Sequence, residues 1–381
     1  MHSYKSVKII DDGKSIILQR ADGGTLRYHS IWLRDNALDP ETRDIKNGQR
    51  LITLSDIPID TCIKSANLDD KGENISITFF PESKKVSFST SWLETHAYDV
   101  EKKSLKGWIS PDLKIWNSDM IKNIPNIDYK TAKSDNTLLL KWMKSLHKYG
   151  FAKITGGNKE SGAIIQVANL IGFIRETNYG KFFEVRSEIN AVNLAYTNLG
   201  LQAHTDNPYR DPVPTIQILY CLENSASGGD SKVVDGFKAA ILLKEENPEY
   251  FNLLTKYCAR FEYNEDEKTH LQSRRPMIEL SPDGEIIAIR FNNRSAAPIT
   301  DVPYSDMENY YNAYRKFSDI INESSMAVNF KLKPGESFAV DNTRVLHSRA
   351  AYSGSGNRWL QGCYVDKDGF LSKIFTLSKK L

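Results

Sequence analysis

The segment AHTDNPYRDPVPTIQILYC, residues 203–221, places a histidine and an aspartate two residues apart just before a strand-like apolar run. Along a β-strand, residues i and i+2 point to the same face. His204 and Asp206 therefore reach toward one point if this segment is extended. A shared metal ion is the simplest reason for this spacing, and it requires a fold that brings a third ligand to the same face.

His347 is the best candidate for the third ligand. The chain has seven histidines, and this one lies in DNTRVLHSRAAY, after the turn-forming pair Pro334-Gly335. Two histidines and one carboxylate on one face of a metal form the facial triad of non-haem Fe(II) oxygenases, which leaves positions open for other ligands. One open position suits O2, and two suit a bidentate 2-oxo acid.

Arg358 lies eleven residues after His347, in GNRWLQGCY. An odd spacing on one strand would put it on the opposite face, but the turn at Gly354 and Gly356 interrupts the strand. The guanidinium can then fold back toward the metal and bind the distal carboxylate of 2-oxoglutarate as a fork.

Each of these signals has an ordinary explanation when it is taken alone. An HxD pair arises by chance, a single histidine is often a half-buried hydrogen-bonded residue, and a single arginine is usually a surface charge. The combination of HxD, a distant histidine and an arginine at this spacing is far more specific than any one of them.

Composition limits the other classes. The chain has 381 residues, 40% hydrophobic and 26% charged, which is typical of globular proteins with two or more domains. The net charge of +2, with no long run of one sign, gives no indication of nucleic-acid or membrane binding. No apolar stretch approaches the roughly 20 residues of a membrane span. The N-terminal sequence lacks an apolar signal region, and the four cysteines form no CxxC pair, so we expect reduced thiols in the cytoplasm.

The chain divides near residue 98. Before that point, short alternating segments separated by Asp-Gly and Gly-Gly turns predict a small β domain, residues 1–98. Residues 99–381 form the second domain, with helices predicted from Asp135 to Gly150 and over 160–172, 236–256 and 305–322. We find no internal repeat in the sequence.

Together these motifs resemble the γ-butyrobetaine hydroxylase branch of the Fe(II)/2-oxoglutarate dioxygenases, which is related to trimethyllysine hydroxylase and taurine dioxygenase. The resemblance implies a mainly β fold with packed helices (α+β): a double-stranded β-helix, or jelly roll, as the catalytic domain and a small N-terminal β domain. The matching stretches span nearly the whole chain: WLRDN (32–36), WLETHAY (92–98), AYTNLGLQAHTDNP (195–208), GGDSKVVDGF (228–237), FNN (291–293), LHSR (346–349) and NRWLQGCYVDKD (357–368).

The resemblance also assigns site residues. It implies His204, Asp206 and His347 as iron ligands, Arg358 as the 2-oxoglutarate anchor, and no catalytic residue beyond the metal site. Ser231 matches a hydroxyl placed against a 2-oxoglutarate carboxylate, although a serine in GGDS is equally a turn residue. The aromatic positions that surround a quaternary ammonium in the family, and a nearby amide, correspond here to Tyr179, Phe183, Tyr196, Tyr364 and Asn193.

Two departures from the family pattern are informative. The segment WLRDNALDPETRD has no cysteine where relatives often bind structural zinc, so we expect no zinc there and hydrophobic packing in its place. Beside the metal motif, Asn207 and Arg294 differ from the family, and Asn292 precedes that arginine. These side chains would surround the acid end of the substrate, so carboxylate and phosphonate substrates both stay open.

The sequence therefore predicts an enzyme that hydroxylates an unactivated C–H bond of a small trimethylammonium-bearing acid, γ-butyrobetaine or 2-trimethylammonioethylphosphonate. It would use Fe(II), 2-oxoglutarate and O2 and release succinate and CO2. The alternatives are a non-catalytic jelly-roll protein that binds betaines, a dioxygenase for another small amine acid, and a zinc hydrolase. We expect a cytoplasmic homodimer that binds a small quaternary ammonium compound and neither nucleic acid nor membrane.

Overall fold

The computed structural model of the chain describes residues 4–99, 112–186, 200–265, 268–353 and 356–381. It contains two compact units, Met1–Ser104 and Leu105–Leu381, called here the N-terminal and C-terminal units. The predicted domain boundary between residues 98 and 99 lies close to this division. Among the described residues, no helix combines the length and the apolar character that crossing a membrane requires.

Within residues 4–99, the N-terminal unit consists of two three-stranded antiparallel sheets, each followed by a short helix. Alternating apolar residues of both sheets pack into one core, with Leu18, Leu26, Ile75 and Phe88 fully buried. The elements are β1 (Tyr4–Ile10), β2 (Ser15–Arg20), β3 (Thr25–His29), α1 (Ser30–Asp35), β4 (Cys62–Leu68), β5 (Asn74–Phe80), β6 (Lys85–Ser89) and α2 (Thr90–Thr95).

This unit is an internal repeat of the pattern strand–strand–strand–helix, so the expectation that the chain has none was wrong. Ser30 and Thr90 begin the equivalent helices, and the backbone N–H of each donates to a carbonyl oxygen of its own half, Ser30 to Lys14 and Thr90 to Glu73. Trp32 and Trp92 follow at equivalent positions and their rings are 5.7 Å apart. The repeat is hard to see in the sequence because the two halves have the same order of strands and helix but few identical residues.

The loop after α1, in which we expected apolar packing and no zinc, is held by ion pairs as well as by apolar contacts. Lys84 Nζ lies 2.9 Å from Asp39 and 2.6 Å from Glu41. Arg34 is buried and donates two hydrogen bonds of 2.7 Å to Glu82. These contacts tie the loop after α1 to the turn between β5 and β6, in addition to the apolar core predicted there.

The described strands of the C-terminal unit are β7 (Asn126–Asp128), β8 (Phe151–Thr155), β9 (Phe183–Arg186), β10 (Leu201–His204), β11 (Ile216–Asn224), β12 (Ser227–Gly228), β13 (Ser231–Asp235), β14 (Cys258–Glu265), β15 (Thr269–Pro276), β16 (Ile278–Leu280), β17 (Ile286–Ile289), β18 (Ala327–Phe330), β19 (Ser337–Asp341), β20 (Val345–Arg349), β21 (Tyr352–Ser353) and β22 (Arg358–Val365). Ten of them form two larger sheets, a six-stranded sheet in the order β7-β8-β19-β11-β22-β9 and a four-stranded sheet in the order β10-β20-β13-β18. Every pairing in these two sheets is antiparallel except β7 with β8.

The two sheets enclose a shared apolar layer, as the jelly-roll prediction requires. Phe338 and Leu360 of the larger sheet and Val233 and Val328 of the smaller one belong to the same buried cluster. Inward side chains alternate along such strands, so each strand contributes every second residue to the interior. The functional residues described below lie on these same inward faces.

Helices cover the outer sides of the sheets. Helix α4 begins after Asp135, whose carboxylate accepts hydrogen bonds from two backbone N–H groups, and ends at Gly150 with φ at 68°. The single helix predicted over 236–256 is wrong, because Asn247 caps a second helix that starts at Pro248. The helices are α3 (Tyr129–Ser134), α4 (Asn136–Tyr149), α5 (Ala163–Ile171), α6 (Gly236–Glu246), α7 (Pro248–Lys256), α8 (Tyr304–Asn322) and α9 (Lys367–Lys380).

The ion pairs of the N-terminal unit should contribute unequally to its stability. Replacing Glu82 with alanine leaves the Arg34 guanidinium, whose side chain is only 5% exposed, without its bidentate partner. We expect a loss of about 1–3 kcal/mol in the free energy of unfolding, below the ~3–5 kcal/mol of a fully buried pair because Glu82 is partly solvated. Urea titration followed by tryptophan fluorescence measures it.

Glu41→Ala is the matched control, since this carboxylate is 85% exposed and its pair with Lys84 is screened by water. Its cost should stay below about 0.5 kcal/mol. Equal losses in the two variants would contradict the assignment of the buried pair.

Candidate metal centre

The strand pairing brings the two histidines together. His204 is the last residue of β10, His347 lies at the middle of β20, and the two are direct partners in the antiparallel register. Their ring centroids are 4.3 Å apart. Asp206 completes the group, and the three potential ligand atoms all lie within 4.8 Å of one another.

Asp206 reaches this point by a turn, so the expectation that strand alternation would align it with His204 is wrong. Strand β10 ends at His204. The Asn342 side chain holds the turn: its Oδ1 accepts from the Asp206 backbone N–H at 2.6 Å, and its Nδ2 donates to the Asp206 carbonyl at 3.0 Å. Asn207 follows with φ at 51°, a conformation that asparagine tolerates well.

The donor atoms are arranged for one metal ion. The Nδ1 atom of His204 lies 2.7 Å from the Gln202 carbonyl, which can only accept, so Nδ1 carries the proton and Nε2 keeps its lone pair. This Nε2 lies 3.3 Å from Asp206 Oδ1, and the Nε2 of His347 lies 3.7 Å from the same oxygen. Two imidazole nitrogens and one carboxylate oxygen thus converge, which is the donor set of a facial triad.

The electrostatics favour the forms that bind metal. Burial raises the pKa of the Asp206 carboxyl, but its surroundings, including the hydrogen bond donated by the Tyr364 hydroxyl, lower that pKa well below its usual range. Burial, reinforced by the neighbouring His204, lowers the pKa of His347 to about 3. Near neutral pH, Asp206 is therefore ionised and His347 is neutral, as a divalent cation requires.

The three residues border a cavity of about 380 Å³ that also contains the predicted co-substrate residues. Arg358 begins β22, is buried, and donates from Nε to the Gly229 carbonyl at 3.2 Å. Ser231 is buried at the start of β13, opposite Arg349 in the register with β20. Ser231, Arg349 and Arg358 all line the cavity.

Arg349 is a cavity residue that the sequence reasoning missed. It is buried and lies on β20 two residues after His347. The signal was available, since residues i and i+2 of a strand share a face and His347 was already placed on the cavity side.

Three of the aromatic residues predicted to surround the quaternary ammonium, Tyr179, Phe183 and Tyr364, line the same cavity, and we call them the aromatic wall. The ring of Phe183 lies between its neighbours, 5.9 Å from the Tyr179 ring and 5.4 Å from the Tyr364 ring. Gly362 pairs with Phe183 across the sheet, and a Cβ there would overlap the phenyl ring. Asn193 and Tyr196, also predicted near the substrate, lie outside the described residues.

Two further tyrosines extend this aromatic wall and were not predicted. Tyr263, on β14, stacks on Tyr209 at 5.0 Å and meets Tyr179 edge-on at 6.0 Å. The Tyr209 hydroxyl donates to Asn207 Oδ1 at 2.5 Å and lies 3.0 Å from the Tyr179 hydroxyl. Because its own proton is donated to Asn207, Tyr209 accepts from Tyr179.

The polar residues predicted for the acid end differ in their freedom to bind. Asn207 lines the cavity, and its buried Nδ2 has no hydrogen-bond partner among the described residues. Asn292 also lines the cavity, but its Nδ2 donates to the Thr205 carbonyl at 3.1 Å and its oxygen accepts from the Arg294 N–H at 3.0 Å. Arg294 lines the cavity, whereas Arg290 is buried against backbone carbonyls.

The chain is similar to known dioxygenases over most of its length. The family model "Taurine catabolism dioxygenase TauD, TfdA family" matches residues 112–364. The chain is 34% identical to the gamma-butyrobetaine dioxygenase of Pseudomonas sp. strain AK-1, over 94% of this chain and 92% of the relative. It is 29% identical to the human gamma-butyrobetaine dioxygenase, over 93% of this chain and 92% of that protein. It is 31% identical to the mitochondrial trimethyllysine dioxygenase of Mus musculus, over 92% and 82% respectively.

Removing one ligand should remove the metal. We expect His347→Ala to weaken Fe(II) binding by more than about 100-fold, beyond the ~10–100-fold typical of a lost outer-shell partner. Anaerobic calorimetric titration with Fe(II) measures the affinity. His29→Ala, an exposed histidine of the N-terminal unit, serves as the control. Near-normal Fe(II) affinity in His347→Ala would contradict the triad.

Proposed function

The chain belongs to the taurine catabolism dioxygenase TauD, TfdA family, and from this membership we propose that it hydroxylates an unactivated C–H bond of a small trimethylammonium-bearing acid. The observation that carries the proposal is the position of the His204, Asp206 and His347 donor atoms in the same cavity as a group of aromatic rings. Fe(II) is the metal that this donor set fits, with 2-oxoglutarate and O2 as co-substrates. The alternative of a non-catalytic betaine-binding protein is set aside by the family.

The metal and its co-substrates supply the oxidising chemistry when bound: substrate, 2-oxoglutarate and O2 become hydroxylated substrate, succinate and CO2. The protein's own residues bind and orient. Arg358 is proposed to hold the distal carboxylate of 2-oxoglutarate through its guanidinium, with the Ser231 hydroxyl as a second donor. Both side chains are buried and border the cavity that also contains the three candidate metal ligands, which supports these roles.

The substrate cation is proposed to lie against the rings of Tyr179, Phe183 and Tyr364. A trimethylammonium group has no N–H to donate, so ring faces are its natural partners, at ~0.5–2 kcal/mol for each contact. The ring spacing of 5.4–5.9 Å supports a packed aromatic wall beside the metal. Tyr209 and Tyr263 extend this wall and belong to the same proposal. Holding the cation there would turn the intervening carbon toward the metal, which is catalysis by positioning.

The acid end of the substrate is proposed to lie near Asn207 and Arg294. The buried amide Nδ2 of Asn207 lacks a partner among the described residues, and an anionic oxygen would satisfy it. Arg294 adds a positive charge on the cavity wall. A phosphonate is tetrahedral and approaches two charges near neutral pH, so it gains more than a carboxylate does from such spread donors. Asn193 and Asn292 are secondary candidates, and Asn292 has only one amide hydrogen left to donate.

The compartment and the assembly are further proposals. All four cysteines, Cys62, Cys221, Cys258 and Cys363, are free thiols, which supports the cytoplasm, where thiols stay reduced. A homodimer is proposed from the resemblance to the branch, and light scattering of the purified protein tests it. An amine acid other than a trimethylammonium compound is the second candidate for substrate, favoured only if the aromatic wall fails the following test.

Loss of one ring of the aromatic wall should raise KM for the substrate cation and leave KM for 2-oxoglutarate unchanged. We expect Tyr179→Leu to raise KM for γ-butyrobetaine about 10-fold, which corresponds to a loss of ~1–2 kcal/mol at one desolvated ring. Tyr179→Phe is the matched control, because it keeps the ring face and loses only the hydroxyl. Succinate release measured against each substrate gives both KM values. A higher KM for 2-oxoglutarate with γ-butyrobetaine unaffected would count against the aromatic site.

The residues proposed to bind the acid end predict a substrate preference that a comparison of kcat/KM values can measure. We expect kcat/KM for 2-trimethylammonioethylphosphonate to equal or exceed that for γ-butyrobetaine, and Arg294→Gln to reduce the phosphonate value more than the carboxylate value. Product mass and succinate release report both reactions. A ratio above ~100 in favour of γ-butyrobetaine, about 2.7 kcal/mol in transition-state binding, would show a pocket built for a carboxylate.

A further inference from the structure

One side chain, Tyr364, joins the aromatic wall to the metal ligand. Its ring is buried, lines the cavity and packs on the Phe183 ring at 5.4 Å. Its hydroxyl lies 2.8 Å from Oδ2 of Asp206 and donates to it, since an ionised carboxylate can only accept. The same phenol thus has its ring in the proposed cation site and its proton on an iron ligand.

Gln217 holds the same carboxylate oxygen from the neighbouring strand. Its Nε2 lies 2.5 Å from Asp206 Oδ2, and the amide must present its N–H there for the same reason. Gln217 on β11 and Tyr364 on β22 are direct partners in the antiparallel register. Directly opposed residues on one face of a sheet are neighbours, so the sheet itself fixes the distance between the two donors.

The two donors determine which carboxylate oxygen faces the metal. Oδ2 of Asp206 accepts from both, whereas Oδ1 faces the Nε2 atoms of His204 and His347 at 3.3 and 3.7 Å. Outer contacts of this kind orient a ligand and tune its basicity. With Oδ2 engaged, Asp206 would offer a bound metal ion a single oxygen, Oδ1.

We propose that Tyr364 is a positioning residue that couples occupancy of the cation site to the binding of the metal by Asp206, with Gln217 as its fixed partner. A cation on the ring face draws electron density from the phenol and strengthens its O–H as a donor. The change reaches Asp206 through one hydrogen bond, and by linkage the metal alters the cation affinity by the same factor. The inference has two parts: the metal arm, in which Tyr364 and Gln217 position Asp206, and the cation arm, in which an occupied cation site alters that positioning. The cation arm rests on the proposed function, and the metal arm does not.

The metal arm is tested with Co(II), a spectroscopic substitute for Fe(II). Tyr364→Phe keeps the ring and removes only the hydroxyl, and we expect Co(II) affinity to fall about 10–100-fold, with a shift in the visible Co(II) bands. Gln217→Met should act in the same direction from the other strand. Tyr310→Phe is the matched control, because the Tyr310 hydroxyl is buried in α8 without a hydrogen-bond partner among the described residues.

The cation arm is tested by repeating the Co(II) titration with saturating γ-butyrobetaine. In the unaltered protein we expect the added cation to change Co(II) affinity by at least about 5-fold, the lower end of ordinary coupling between sites. In Tyr364→Phe this factor should fall close to one, although the cation still binds to the retained ring. Calorimetric titration of γ-butyrobetaine into each variant verifies that binding.

The outcomes distinguish the inference from the function on which it partly rests. Unchanged Co(II) affinity and spectrum in folded Tyr364→Phe and Gln217→Met would overturn the positioning role. Equal coupling in the unaltered protein and in Tyr364→Phe, or none in the unaltered protein, would overturn the link to the cation site. If γ-butyrobetaine did not bind at all, the proposed substrate and the link would both be wrong, and the Co(II) titration without cation would still decide the positioning role.

Discussion

The C-terminal unit depends on one register: the antiparallel pairing that sets His204 of β10 opposite His347 of β20. In a β-ladder a slip by one residue reverses every side chain, so this pairing decides both the imidazole contact and which residues of β20 reach the cavity. Arg349 faces the cavity for the same reason as His347. The apolar layer between the sheets, with Val233 and Val345 fully buried, stabilises that register.

The charges around the cavity suit anionic ligands. Among the described lining residues, Asp206 and Glu262 oppose Arg294, Arg349 and Arg358, and the Asp206 carboxylate faces the metal position. A divalent metal adds two positive charges, and 2-oxoglutarate offsets them with two carboxylates. Among the described lining residues one positive charge then remains, which suits the acidic substrate proposed above.

The N-terminal unit is stabilised by ion pairs together with an apolar core. Its two halves repeat one pattern, and the loop after α1 is tied to the turn between β5 and β6 by Arg34 with Glu82 and by Lys84 with Asp39 and Glu41. Such pairs give less stability than a structural metal, because desolvation offsets much of their attraction. The apolar core shared by both sheets provides the rest of the stabilisation.

The sequence by itself determined the candidate ligands His204, Asp206 and His347, the jelly-roll class, and the α4 boundaries at Asp135 and Gly150, because each follows from a local motif, a spacing or a resemblance. Only the tertiary structure decided how Asp206 is held. Its hydrogen bonds to Asn342 and Tyr364 span 136 and 158 residues of sequence. Local patterns report periodicity and turn chemistry, whereas such pairings arise only once two sheets have packed and fixed their register.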